Sequence, residues 1–70
     1  MEESELTGEE IKALRLRLGL TQAELGEAIG VFWNTVSRWE AGKMEPSTLA
    51  LRALAELDRK RSRMQKKQKD

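Results

Sequence analysis

Leu20 to Glu40, LTQAELGEAIGVFWNTVSRWE, decides the architecture of this chain. The stretch reads as two short helices hinged at Gly30. Thr21 is a good N-cap with Glu24 three residues on, so a helix begins at about Gln22. Leu25, Ala28 and Ile29 are its expected inward residues, and Gly30 ends it. About three residues of turn lead to a further helix over about Trp33 to Ala41. Val36 and Trp39 fall at i, i+3 spacing on its inner face, and Gly42 stops it.

Upstream, the same device occurs fourteen residues earlier. Thr7 caps, Glu10 stands at the third helical position, and Leu6 and Ile11 flank them as a hydrophobic staple. Ile11, Leu14 and Leu18 then share one face, and Gly19 is the expected left-handed stop. Downstream, Pro46 disfavours helix at Glu45, so 43–46 form a loop and Ser47 caps a fourth helix. Leu51, Leu54 and Leu57, with Ala50, make its apolar stripe. Beyond Leu57 the periodicity vanishes, and pairing of Glu56 with Lys60 extends the helix by a turn or so. No stretch alternates β-branched and polar residues, so the expectation is all-α: four short helices around one core.

Seventy residues allow one domain near the lower limit of independent folding. With no cysteine and no histidine, neither a disulfide nor an ordinary zinc site can staple it. Stability must come from capped, packed helices. The net charge of +1 hides an asymmetry: residues 1–10 carry five glutamates and no base, while residues 59–69 carry seven Lys or Arg and no acid. Such a tail is either a polyanion contact or a solvated helix end. We expect a disordered acidic head over residues 1–5, a domain over 6–57, and a basic helical or disordered tail over 58–70. The start Met1-Glu2-Glu3 lacks the basic and apolar regions of a signal peptide. Apolar runs stop at three residues, far short of the ~20 that a membrane span needs. A soluble, cytoplasmic protein with no membrane contact is expected.

Two helices joined by a short glycine turn are the physical form of a helix-turn-helix. Counting Gln22 as the first residue of the pair, the fifth sits at the helix crossing and must be small; it is Gly26. The ninth needs a positive φ, and it is Gly30. The fifteenth and eighteenth must fill the space between the helices, and they are Val36 and Trp39.

With these offsets in place, 20–25 (LTQAEL), Gly30-Val31, 35–40 (TVSRWE), Gly42-Lys43 and Pro46-Ser47 resemble the Cro/xenobiotic-response-element repressor family over roughly residues 7–57. The resemblance implies a lambda-repressor-like bundle of four to five helices that binds double-stranded DNA. It further implies a homodimeric, sequence-specific regulator, a repressor occupying a palindromic operator through the major groove. On the same basis Gln22 is a phosphate-clamping glutamine, and Trp33, Asn34, Thr35, Ser37 and Arg38 face the groove. Asn34 can pair bidentately with adenine and Arg38 with guanine or a phosphate, while Lys43 resembles a backbone-phosphate contact. Plainer readings stand beside these: Gln22 as a first-turn helix former, Asn34 as a helix-start residue, Arg38 and Lys43 as solvated bases. The family pair matched by Arg15 and Glu40 ties the first helix to the third.

The chain departs from the family at Phe32 and Trp33, where a capping hydroxyl or acid and a polar residue are common. Phe32 cannot cap, which costs about 1 kcal/mol. Three roles are open to the two rings: contact with thymine methyl groups, a protein-binding patch, or folding back over the core. The second role leads to the alternative function, an antitoxin or other partner-binding module that uses the same domain for autoregulation. An enzyme is not expected, because no histidine, cysteine or phosphate-cradling glycine loop is present, and no cofactor or metal is implied.

Overall fold

The computed structural model describes residues 6–69, and the side chains as far as residue 61. The four helices run α1 Gly8–Arg17, α2 Gln22–Ile29, α3 Trp33–Glu40 and α4 Thr48–Lys69, and no strand occurs among the described residues. The acidic head over 1–5 lies outside the described residues.

Local chemistry sets each helix start. Thr7 Oγ1 accepts from the Glu10 amide at 3.1 Å while the Glu10 carboxylate accepts from the Thr7 amide at 2.9 Å. Thr21 and Glu24 repeat the box at 3.0 and 2.9 Å. Ser47 Oγ accepts from the Ala50 amide at 3.1 Å at the head of α4. Each box satisfies an amide that the helix itself leaves without a partner. Phe32, the N-cap of α3, makes no side-chain capping bond, as its ring requires. All three glycines expected as stops have positive φ, +75° at Gly19, +87° at Gly30 and +78° at Gly42.

One core joins the four helices: Ile11, Leu14 and Leu18 from α1 and its cap, Leu25 from α2, Val36 and Trp39 from α3, and Leu54 from α4. Leu6, Leu20, Ile29, Val31, Ala50 and Leu57 pack around it. Ala28 corrects the expectation, because it is exposed. At about 100° per residue, Leu25, Gly26 and Ile29, with Gln22, define an inward arc, and Ala28 falls outside it on the far side of Leu25.

The length of α4 is the second correction. It spans 22 residues rather than being short, and it passes residue 57 without a break. After Pro46 there is no glycine or proline to stop it, and Lys, Arg, Gln and Met are good helix formers. Glu56 pairs with Arg59 at i, i+3 rather than with Lys60. Polar contacts help to fasten this helix to α1 and its cap, among them Arg17 Nη1 to Asp58 Oδ1 at 2.9 Å and Arg61 Nη2 to the Leu18 carbonyl at 3.4 Å.

Gly8 has a structural role with no counterpart in the sequence reading. A Cβ there would lie 2.4 Å from the Trp39 carbonyl oxygen and 2.8 Å from that of Glu40. Both obstacles are backbone, so neither can swing away. Helix propensity alone predicts that Gly8→Ala stabilises α1 by up to about 1 kcal/mol. Steric overlap reverses the sign, and Gly8→Ala is expected to lower stability by about 1–2 kcal/mol in urea denaturation.

Candidate functional site

α2, the turn and α3 form one unit whose inner side is fixed by size. Gly26 is buried, and a Cβ on it would lie 2.5 Å from the Val31 carbonyl oxygen, so the crossing tolerates nothing bulky. The amides of Gly30 and Val31 both donate to the Gly26 carbonyl at 2.8 Å, which closes the turn. Gly30 supplies the left-handed conformation that lets the chain reverse there. Val36 is fully buried and Trp39 is 3% exposed.

With Val36 and Trp39 inward, the helical period turns Asn34 and Arg38 to the opposite side, and both are exposed. Thr35 and Ser37 flank that line and are half-buried. Trp33 and Phe32 stand exposed at the amino end, so neither ring folds back over the core. Lys43 is exposed in the loop after α3, its amide donating to the Arg38 carbonyl at 2.9 Å. Six of the seven candidate residues thus lie on α3 or just beyond it. The seventh, Gln22, opens α2 and is half-buried.

Gln22 belongs to a polar network under this surface. Its Nε2 donates to Glu40 Oε1 at 3.1 Å. Arg15 grips the same carboxylate with two bonds, Nε to Oε2 at 2.7 Å and Nη2 to Oε1 at 3.1 Å. Arg15 Nη1 also donates to the Leu20 carbonyl at 3.0 Å. One carboxylate therefore ties α1, the start of α2 and the end of α3 together. Burial, the largest single influence, pushes the Glu40 carboxyl up. The hydrogen bonds from Arg15 and Gln22 and the charges of Arg15 and Lys12 outweigh it and hold the carboxyl below its ordinary value. The Arg15–Glu40 pair was expected; the Gln22 bond was not, because eighteen residues separate the partners and no local pattern marks them.

No group of three or more His, Cys, Asp or Glu among the described residues is placed to hold a metal ion. None of their helices is long and apolar enough to cross a membrane. What the surface offers is a short, rigid helix edge with an amide donor and acceptor, a guanidinium, two hydroxyls, an ammonium and two aromatic rings.

A family model described as helix-turn-helix matches residues 11–62. The chain is 47% identical over 47 residues to the type II methyltransferase M1.ScrFI of Lactococcus lactis subsp. cremoris, covering 63% of this chain and 12% of that protein. It is 40% identical over 52 residues to repressor protein C2 of Salmonella phage P22, covering 74% of this chain and 24% of that protein. The chain thus spans a quarter or less of the length of these curated relatives.

Proposed function

The chain belongs to the helix-turn-helix family, of the Cro/xenobiotic-response-element type, and we propose that it is a sequence-specific DNA-binding transcriptional regulator, a repressor that acts by occupying its operator. The observation that carries this reading is the exposed line of Asn34 and Arg38 on a helix whose opposite side is locked into the core. α3 enters the major groove, where the Asn34 carboxamide matches adenine N6 and N7 and the Arg38 guanidinium matches guanine O6 and N7. Trp33, Thr35 and Ser37 line the same approach. The first amides of α2 at Gln22, and the Lys43 ammonium, take backbone phosphates and fix the register.

Gln22 donates one side-chain hydrogen to Glu40 and keeps its second for a phosphate. Glu40 sits close by, and Arg15 neutralises its charge, so the site does not repel the polyanion. The functional unit is the domain over 6–57, with 58–70 as a basic extension, and it binds a palindromic site as a homodimer in the cytoplasm. Repression by occupancy needs no catalytic group. A second reading, a partner-binding module such as an antitoxin, is favoured by the exposure of Phe32 and Trp33, 79% and 58%.

Selection of sites from random duplex DNA tests the first reading. A palindromic consensus is expected, and no enrichment would shift the function to partner binding. On the selected site, Arg38→Ala should weaken binding by about 1–2 kcal/mol and relax the preference at one base pair. Uniform weakening on every sequence, with a salt slope smaller by about one, would instead make Arg38 a phosphate contact.

A further inference from the structure

Phe32 and Trp33 are the bulkiest apolar side chains left uncovered by the fold. They occupy the N-cap and the first position of α3, directly before Asn34. At the N-cap a serine or threonine would satisfy an amide of the helix, and Phe32 forgoes that bond for an exposed ring. Arg38 lies further along the same helix and Lys43 in the loop beyond, both exposed. The uncapped amides add the positive end of the helix dipole. Positive groups exposed along α3 and in the loop after it suit a polyanion better than an apolar protein groove. The amino end of a helix in the major groove comes closest to the base edges, and the apolar group presented there is the thymine methyl.

We infer that Phe32 and Trp33 are specificity-determining residues that read thymine by covering its 5-methyl group. This rests on the DNA-binding reading above and deepens it. At cytosine, adenine or guanine in the same place the rings meet polar edges and strip them of water without replacing a hydrogen bond, so those bases are disfavoured.

Deoxyuridine tests this directly, because it removes the methyl and leaves the base pair intact. Each thymine of the selected site is replaced in turn, and affinity is read by fluorescence anisotropy with the full chain. One or two positions per half-site should lose about three- to tenfold in affinity, the range around one buried methyl. In Trp33→Ala and Phe32→Ser the loss at those positions should shrink below about twofold. Phe32→Ser supplies a capping hydroxyl, so this variant has a local reason to stay folded, which thermal melting checks. The inference is overturned if the wild type is indifferent to every thymine methyl. It is equally overturned if both variants keep the full wild-type sensitivity, which would reassign the rings to a protein partner. A chain that binds DNA but selects no site would remove base readout as a whole, and a chain that binds no duplex at all would remove the parent reading too.

Discussion

Trp39→Ala is expected to unfold much of the chain at physiological temperature. A domain of this length has a total stability of roughly 4–10 kcal/mol. Truncating a buried tryptophan to alanine costs about 3–5 kcal/mol, by lost transfer energy and by the cavity left behind. Trp39 is 3% exposed and packs into the core shared by all four helices. Its backbone carbonyl also lies against Gly8, where a Cβ would come within 2.4 Å of it, so little room exists for the neighbours to collapse inward. Far-UV circular dichroism should show the thermal midpoint falling by about 15–30 °C. Trp33→Ala, which removes an exposed ring from the same helix, should change stability by about 0.5 kcal/mol at most. Equal midpoints for the two variants would mean that the inner and outer faces of α3 have been assigned the wrong way round. The two indoles also separate by fluorescence. In Trp33→Phe the remaining emission should be blue-shifted and poorly quenched by acrylamide, and it should move to the red only on unfolding.

This contrast between two tryptophans six positions apart was legible in the sequence because it depends on helical period and on the Gly26 and Gly30 offsets. The caps at Thr7, Thr21 and Ser47 were legible for the same reason: each is a short-range hydrogen bond whose partner lies three residues away. Features that depend on how elements meet were not. Gly8 looks like an indifferent first-turn residue until α3 is laid across it. Ala28 has the right chemistry for the core but the wrong angle, and eight residues of α2 give too short a period to show it. The sequence left the stretch after Leu57 open between helix and disorder, because apolar periodicity stops there, whereas good helix formers continue a helix without a buried face. At the candidate site, the outward residues of α3 could be named from their spacing. The bond from Gln22 to Glu40 could not, because it exists only once α1, α2 and α3 converge.

That convergence makes Glu40→Ala the second large effect. The Glu40 and Arg15 side chains are 6% and 11% exposed. Without the carboxylate, the Arg15 guanidinium keeps only the Leu20 carbonyl, and the Gln22 amide loses its acceptor. Breaking a fully buried pair costs about 3–5 kcal/mol, and access of water at this rim reduces that to about 2–3 kcal/mol. Removing both partners together, as Arg15→Met with Glu40→Leu, should recover much of the loss, and the double-mutant cycle should give a coupling of about 1–2 kcal/mol. The pH dependence separates this carboxylate from the others. Its folded-state value is lowered from an ordinary 4.5, so folding releases its proton more readily than the unfolded chain does. The stabilisation is therefore complete above about pH 4.5, declines as pH falls below it, and is gone once the lower folded-state value is passed. Between neutral pH and the acid limb the wild type should lose more stability than Glu40→Ala, so their denaturation midpoints should converge as the medium is acidified. Parallel acid limbs would show that the Glu40 carboxyl is not held low. In that case the network joining α1, α2 and α3 would owe its strength to packing around Arg15 rather than to the charge of Glu40.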